Sequence, residues 1–313
     1  MAMAMATLNE KCTIAKLKRI LLATDFSETS RRAVPYALHL AEHYDSEIFL
    51  AHVTPNFYDP LPMDPSPRVT NTFRADAEQQ AREFVEATGL KDSKYRLIMR
   101  SGMIADVLAR VIASEEIDLV VLGTHGSGGI GKLVLGSVAE EMLRRVPCPV
   151  LTVGKPAVPA GAFQRILFAT DFGPGAARAL PVALDLAQTY RAQFILLHML
   201  TPIPVLTAGA MTGMQAYLVE DTADWQARKK QESVRKLLEL IPREMKLMSE
   251  PEYIVGNASA PEGILSAAAE RQADLIVMGA HRSTVPRAVA HLPWTVVHRV
   301  ICEAKCPVLT VAG

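Results

Sequence analysis

The stretch GTHGSGGIGKLVLGSV, residues 123–138, is rich in glycine, and glycine-rich loops can bring backbone N–H groups close to a phosphate. Three phosphate-binding patterns can be laid over it. One reads G-x-x-x-x-G-K from Gly126 and is most of a P-loop, and a second reads G-x-G-x-x-G from the same residue, as in dinucleotide-binding proteins. The third reads G-x2-G-x9-G-S from Gly123 to Gly136 and Ser137. Each pattern implies a different nucleotide site.

Two of these patterns lack residues that their chemistry requires. A P-loop needs Ser or Thr after its lysine to hold magnesium, and that position is Leu133. The dinucleotide pattern needs an unbroken helix around its third glycine and an acidic residue about 20 positions further on. Gly136 would interrupt a helix begun at Gly131, and residues 147–154 contain no acid. The surrounding sequence therefore favours the third pattern.

In the third pattern each glycine has a place. Gly123 ends a strand and lets the chain turn, and Gly126 permits a ligand to approach the backbone closely. Gly136 and Ser137 open a helix, whose free N–H groups and positive dipole end favour an anion. The Ser137 hydroxyl can cap that helix or bind a phosphate oxygen. The alternative is a connection that uses its glycines only for turning.

The chain carries one sequence pattern twice. RILLATDFS, which begins at Arg19, recurs as RILFATDFG, DLVVLGTHG recurs as DLIVMGAHR, and CPVLTVGKP recurs as CPVLTVAG. These repeats predict two homologous domains, residues 1–156 and 157–313. The join, residues 154–163, contains the Pro, Ala and Gly of a surface linker.

Each half alternates short apolar strands with helices, in the order β-α-β-α-β-α-β-α-β. Continuous apolar strands predict an α/β fold, a parallel sheet with helices on both faces. The first helix is expected within residues 25–44, capped by Ser27. Ligands of such sheets bind beyond the carboxyl ends of the strands. In the first half those ends are residues 23–25, 52–53 and 101–102, and the glycine loop.

The chain resembles tandem universal stress proteins over both halves. The resemblance rests on the opening RILLATDFS, the strand end AHV, the pattern G-x2-G-x9-G-S and the closing CPVLTV. It implies two Rossmann-like, adenine nucleotide alpha hydrolase-like domains, each with a five-stranded parallel sheet of order 3-2-1-4-5. It also implies ATP binding, with or without magnesium, in members that carry the glycine pattern.

Carried onto this chain, the resemblance assigns an ATP site to the first half. The adenine and ribose would be surrounded by Ala23, Thr24, Asp25 and Val53, the ribose side lined by Leu122 and Gly123, and the phosphates held by Gly126, Gly136, Ser137 and Val138. Asp25 has an independent rationale, because a carboxylate at the end of the central strand can accept from hydroxyl or amino groups. The alternative is a cap for the following helix, and Asp171 repeats the residue in the second half.

The second half departs from the pattern in its loop. Arg282 stands at the place of Gly126, and, counted from the shared CPVLTV, Trp294 stands at the place of Gly136. An indole at the helix start fills the space that a phosphate chain would use. One ATP per chain is therefore expected, in the first half. The second pocket is either closed or holds a ligand without a triphosphate.

The bulk composition limits the class of partner. The formal net charge is +0, which argues against a binder of nucleic-acid backbones. No apolar run reaches the about 18 residues of a spanning helix, and the N-terminus lacks the apolar core of a secretory signal. The four cysteines are interpreted as small buried residues of a reducing compartment, not as metal ligands. We expect a cytoplasmic protein that binds neither membrane nor nucleic acid.

The function expected from these residues is a nucleotide-binding module of the stress response that is not an enzyme. We recognise in the sequence no pair of carboxylates that would hold magnesium and no positioned general base, so we expect at most weak ATP hydrolysis. A slow ATPase or phosphotransferase is one alternative, and a ligand-independent interaction scaffold is another. The last strands, residues 150–153 and 308–311, are apolar and would lie at sheet edges, which are usually paired or covered. The resemblance suggests that these two edges meet, so we expect the halves to pair within the chain, and a further homodimer stays open.

Overall fold

The computed structural model describes residues 17–54, 67–124, 135–154, 163–200, 213–242, 244–280 and 296–312, without the side chains of 67–74 and 213–223. The first half contains β1 (Arg19–Ala23), α1 (Glu28–Arg31), α2 (Val34–Tyr44), β2 (Glu47–Thr54), α3 (Pro67–Thr88), β3 (Tyr95–Ser101), α4 (Ile104–Ser114), β4 (Leu119–Gly123), α5 (Ser137–Arg145) and β5 (Val150–Val153). The second half contains β6 (Arg165–Ala169), α6 (Pro174–Thr189), β7 (Gln193–Met199), α7 (Gly213–Glu239), β8 (Glu252–Gly256), α8 (Ala260–Glu270), β9 (Leu275–Ala280), α9 (Val296–Glu303) and β10 (Val308–Ala312).

The strands form one ten-stranded sheet in the order β3-β2-β1-β4-β5-β10-β9-β6-β7-β8. Neighbouring strands are parallel within each half, and each half has the order 3-2-1-4-5 read from its outer edge. The α/β class is thus confirmed. The two expected five-stranded sheets are continuous with each other, because β5 and β10 pair antiparallel at the centre.

Two apolar layers cover the faces of the sheet, since successive strand residues point to opposite sides. One layer lies under α2, α3, α6 and α7 and contains Ile48 and Leu50, and the other lies under α4, α5, α8 and α9 and contains Phe49 and Ala51. Burial on both faces explains why the strands are continuous apolar runs. No helix within the described ranges is both long and apolar enough to cross a membrane.

The single first helix expected in residues 25–44 is wrong for the first half, where α1 and α2 are separate. Ser27 caps α1 as predicted, accepting from Ser30 N at 3.2 Å. The Ser30 hydroxyl also donates to Ser27 O at 2.9 Å, which competes with helix continuation. Pro35 alone does not cause the break, because its counterpart Pro181 lies inside the unbroken α6. The residue of α6 that matches Ser30 is Ala176, which has no hydroxyl.

The halves meet along β5 and β10, as the sequence predicts. The two strands pair with Leu151 opposite Leu309. Thr152 Oγ1 donates to Val308 O at 3.0 Å, and Thr310 Oγ1 donates back to Val150 O at 3.3 Å. Because this pair is antiparallel, the carboxyl ends of the strands in the two halves face opposite edges of the sheet. Any ligand site of one half therefore lies on the other side of the molecule from its counterpart.

Helices α2 and α6 also pack across this junction, and we call β5, β10, α2 and α6 together the seam. Tyr44 Oη donates to Asp185 Oδ2 at 3.1 Å. The pseudo-symmetric counterparts, 146 residues away, are Tyr190 and His39, whose rings lie 5.2 Å apart between centroids. Within the described part of the chain, neither His39 Nε2 nor Tyr190 Oη has a hydrogen-bond partner. One copy of the contact is thus hydrogen-bonded and the other is not.

This asymmetry predicts a pH dependence of folding stability. Burial, with the neighbouring charge of His43, lowers the pKa of His39. The unfolded chain therefore takes up more protons than the folded protein once the pH falls below about 6.5, and the free energy of unfolding decreases. We expect a His39→Gln variant to lose less stability between about pH 7 and pH 5.5. Denaturant unfolding across that range measures the effect.

Asp185 supplies the control because its titration should change the folding stability with pH in the opposite direction. Burial raises the pKa of Asp185, so the folded protein holds this proton more tightly than the unfolded chain as the pH falls through the acid range. As the pH falls from neutral into the acid range, an Asp185→Asn variant should therefore lose more folding stability than wild type loses. Equal pH slopes for wild type and His39→Gln would contradict the role assigned to His39.

The cysteines fit the role of small buried residues. Cys148, Cys302 and Cys306 are free, and Cys12 lies outside the described residues. Burial raises the pKa of Cys148 and Cys306 to about 12, so both thiols stay protonated at neutral pH. Cys302 is half-buried at the end of α9.

Candidate functional site

Hydrogen bonds hold the turn that follows β1. Thr24 is buried, its N–H donates to Ala51 O at 3.0 Å, and its Oγ1 accepts from Phe26 N at 2.9 Å. The same Oγ1 lies 2.9 Å from Ser30 Oγ on α1. Phe26 has a φ of 61°, a left-handed conformation that is uncommon for a residue other than glycine. These bonds set the direction in which Thr24 and Asp25 leave the strand.

His52 supports this turn from the face of the sheet opposite to Val53. Its Nδ1 lies 2.9 Å from Thr24 O, and its ring stacks on Phe26 with 4.3 Å between centroids. A carbonyl oxygen only accepts, so Nδ1 carries the hydrogen. His198 makes the equivalent contact at 2.8 Å in the second half. These contacts give both histidines a structural role.

The carboxylate of Asp25 holds the turn that leads into α1. Asp25 is exposed, and its Oδ1 accepts at 3.1 Å from the N–H of Ser27, the N-cap of α1. Asp171 accepts in the same way, at 2.8 Å, from Gly173, the N-cap of α6. One oxygen of each carboxylate thus holds the turn before the helix, and neither is shown to accept from an N–H within the helix. A carboxylate can accept several hydrogen bonds, so the ligand role of Asp25 stays a prediction.

Predicted adenine-side and ribose-side residues lie together on one face of the sheet. Ala23, Val53 and Leu122 are at the carboxyl ends of the neighbouring strands β1, β2 and β4 and belong to the buried layer under α4 and α5. In the sheet register Ala23 is opposite both Ala51 and Leu122. The strand ends therefore form an apolar floor with small alanines at its centre.

The two ends of the glycine loop are joined at a neck. Gly136 N–H donates to Thr124 O at 2.8 Å, and Thr124 N–H donates to Val153 O at 3.0 Å. Gly136 is the N-cap of α5 and Ser137 is its first residue, so the predicted helix start is confirmed. The Ser137 hydroxyl is therefore not at the capping position. Helix geometry leaves the N–H groups of Ser137 and Val138 without intrahelical partners, and these are the donors available to an anion.

The end of β4 contains a residue that the sequence analysis missed. Thr124 is 1% exposed and ties the neck to β5, yet a threonine after a strand carries no signal of this role. The preceding Gly123 is explained by packing, because a Cβ there would lie 3.2 Å from Thr29 O on α1. Gly123 thus lets α1 approach the strand end closely.

The middle of the loop is not part of the structural description. Residues 125–134, including Gly126, lie outside the described residues. Arg282 and Trp294 of the second half lie outside them as well. The phosphate assignment of Gly126, and the departure of the second loop, stay predictions from the sequence.

The second half repeats the turn but changes its surroundings. Thr170 Oγ1 accepts from Phe172 N at 2.9 Å, and Phe172 has a φ of 60°. Met199 replaces the valine at the end of β2, and its side chain lies against Gly256 and Gly263, where a Cβ would overlap it. The larger side chain is thus accommodated by two glycines and is directed toward β8 and α8.

In the first half the apolar strand ends and the start of α5 lie at the same end of the strands. Across the described ranges, no three His, Cys, Asp or Glu side chains are close enough to hold a metal ion. The acidic residues of α5 are paired with arginines of the same helix, Glu140 with Arg144 at 3.7 Å and Glu141 with Arg145 at 3.4 Å. The helix start therefore keeps its preference for an anion.

Comparisons with known proteins agree with the fold and the repeat. The model of the Universal stress protein family matches residues 16–154 and again residues 162–312. A universal stress protein of Mycolicibacterium smegmatis is 26% identical over 277 residues, 84% of this chain and 86% of that protein. The crystal structure of one from Archaeoglobus fulgidus has a TM-score of 0.65 at 20% identity, covering 95% of this chain and 99% of that one.

A shorter universal stress protein, solved in complex with cAMP, is 23% identical, with a TM-score of 0.31, and covers 44% of this chain and 98% of its own. The family model matches once on each side of the linker, and the sheet repeats its strand order at the same place. The chain therefore belongs to the universal stress protein family and carries two of its domains in tandem.

Proposed function

We propose that this chain is an ATP-binding module of the cytoplasmic stress response, which holds one nucleotide in its first half. The observation that carries the proposal is the neck between Thr124 and Gly136, which sets the start of α5 at the same sheet edge as the apolar floor. Adenine has an apolar ring face and ATP ends in phosphates. The floor and the helix start match these two ends of one ligand.

In the proposed complex the adenine lies over Ala23 and Val53. The Asp25 carboxylate accepts from the ribose hydroxyls, and the phosphates extend toward the N–H groups of Ser137 and Val138. Magnesium, where it takes part, arrives with the nucleotide and is held by the phosphates. The protein then binds and orients the nucleotide, and its signal is the difference between the nucleotide-free and the nucleotide-bound state.

Titration calorimetry with ATP tests the proposal on the full chain. We expect one site per chain, filled from the first half. We expect Asp25→Asn to weaken ATP binding about tenfold, because it removes a charged acceptor. Asp171→Asn is the matched control, since Asp171 makes the same turn contact in the second half and should leave ATP affinity unchanged. Two equal ATP sites, or equal effects of the two variants on affinity, would contradict the assignment.

Measurements on the same chain distinguish the proposed function from the two alternatives. An ATPase or phosphotransferase would show magnesium-dependent turnover approaching the about 10 per second of ordinary enzymes, lost in Asp25→Asn. We expect turnover far below that value. A ligand-independent scaffold would be indicated if protein purified without added nucleotide contained none and ATP gave no binding heat.

A further inference from the structure

The outermost strands of the described sheet are β3 and β8, one in each half. On β3, Lys94 O accepts from Ile48 N at 2.8 Å, so the backbone groups of even-numbered residues face β2. Backbone groups of successive strand residues point to opposite sides, so those of Leu97 and Met99 point outward, away from the sheet. Leu97 is 39% exposed, which makes this side of β3 an apolar edge. Such edges are usually covered, because they can pair with another chain.

Strand β8 has the same arrangement at the other end of the sheet. Gly256 O accepts at 2.9 Å from the N–H of Leu200, the residue after β7. The even-numbered residues of β8 therefore face β7, and the backbone groups of Tyr253 and Val255 point outward. Because β5 and β10 pair antiparallel, β3 and β8 run in opposite directions. A second copy placed beside the first in the same orientation thus presents β8 antiparallel to β3.

One register of this pairing matches all of β8 with residues inside β3. The opposed residues are Arg96–Gly256, Leu97–Val255, Ile98–Ile254, Met99–Tyr253 and Arg100–Glu252. The outward backbone groups of Leu97 then meet those of Val255, and an antiparallel pair of this kind exchanges two hydrogen bonds. A shift by two residues in either direction moves one end of β8 beyond β3. The geometry of the two strands therefore favours this register.

The side chains of this register lie on matching faces. Ile98 and Ile254 both belong to the apolar layer under α4, α5, α8 and α9. Leu97 lies beside Leu50 of β2, and Val255 packs on the layer that contains Leu50. Each apolar layer would therefore continue from one copy into the next, with cross-strand apolar pairs on both faces.

The charges of the two strands are complementary. Strand β3, YRLIMRS, has two arginines and no acid, and β8, EYIVG, has one glutamate and no base. Arg100 and Glu252 are each two residues from the isoleucine pair, so they lie on one face of the joined sheet. Arg100 is exposed. Glu252 already accepts from Arg271 Nε at 2.8 Å, and a carboxylate can accept from a second cation as well.

Pairing of like strands fits less well. In the β3–β3 register that overlaps most of the strand, Arg96 would lie opposite Arg100 twice, and like charges directly opposite each other are destabilising. Pairing of β8 with β8 would leave the exposed edge of β3 uncovered. The two different strands therefore complement each other better than either complements itself.

We propose that β3 docks β8 of a second copy of this chain, so that the sheet continues from one copy to the next. The two strands lie at opposite ends of the sheet, so the contact is head-to-tail and does not close at a dimer. Assemblies therefore lengthen with protein concentration. This surface does not involve the proposed nucleotide site.

Sedimentation velocity of the full chain over a range of concentrations tests the charge pair. Arg100→Glu and Glu252→Arg should each weaken association about five- to tenfold, because each places like charges opposite each other. An equimolar mixture should restore it, since each changed strand then meets a strand of opposite charge. Thermal melts of both variants show whether they are folded.

Each other result of that experiment contradicts the proposal. A mixture that associates no better than the separate variants would overturn the Arg100–Glu252 pair. Association unaffected by Arg100→Glu would indicate β8–β8 pairing, and association strengthened by it would indicate β3–β3 pairing. Wild type that stays monomeric up to its highest soluble concentration would show that the two strands do not pair.

A second comparison tests the apolar edge without changing β8. Leu97→Lys replaces an exposed residue and should weaken association about tenfold while the thermal midpoint stays close to that of wild type. Met103→Lys is the matched control, because Met103 is 68% exposed but lies beyond β3, before α4. It should leave association unchanged. Equal losses in the two variants would indicate unspecific apolar association and overturn the docking of β8 on β3.

Discussion

Gly136→Trp is expected to abolish ATP binding by the first half and to leave the fold intact. The indole would occupy the start of α5, where the phosphates are proposed to lie. The substitution copies the second half, where Trp294 stands at the matching position. Gly136 has φ −61° and ψ 143°, a conformation open to any L-residue, so the backbone is not strained by a side chain there.

Titration calorimetry with ATP measures this effect, and a thermal melt shows whether the variant is folded. We expect no detectable ATP binding and a midpoint within a few degrees of wild type. Gly136→Ala is the control, because a methyl group keeps the same backbone conformation and fills little of the anion space. Undiminished ATP binding by a folded Gly136→Trp protein would show that the phosphates do not lie at the start of α5.

Gly279→Ala is expected to destabilise the protein strongly, although it lies in the half without the glycine pattern. A Cβ at Gly279 would overlap the carbonyl carbon of Gly175 and lie 2.6 Å from its oxygen, so β9 and the first turn of α6 would have to separate. Overpacking against backbone costs about 3 kcal/mol. For a chain of this size the midpoint should fall by roughly 5 °C.

Gly123→Ala is the matched variant in the first half. Its Cβ would lie 3.2 Å from Thr29 Cγ2 and Thr29 O, a contact that a small shift of the short helix α1 relieves. We expect a loss of about 1 kcal/mol. Thermal melts of both variants, with denaturant unfolding to convert midpoints to free energies, decide the comparison. A larger loss at Gly123 than at Gly279 would contradict the packing account.

The architecture could be predicted from the sequence because its signals are local. The repeat of RILLATDFS, DLVVLGTHG and CPVLTVGKP defines two domains, and buried apolar runs between helical segments define parallel strands. The apolar last strands, together with the resemblance to tandem universal stress proteins, predicted the pairing of β5 with β10, which the structure shows. Helix starts are also marked by local sequence, and the predicted start of α5 after Gly136 was correct.

The site could be predicted only in part, for the same reason. The alternation of strands and helices identified the strand ends Ala23 and Val53, whereas Leu122 came only from the resemblance to universal stress proteins. It did not identify Thr124, whose carbonyl closes the loop neck, because nothing in its neighbourhood marks it. The split between α1 and α2 was missed because it depends on a serine hydroxyl that bonds back to its own turn.

The sequence by itself determined the repeat and the α/β class, and it predicted the end of the strands at which a ligand would bind. Only the tertiary structure decided what the shared residues are for. Gly279 is explained by its contact with Gly175, and Asp25 and Asp171 both hold the turn that leads into a helix. Residue type and spacing describe neighbours in sequence, whereas these roles depend on distances between groups that only folding brings together.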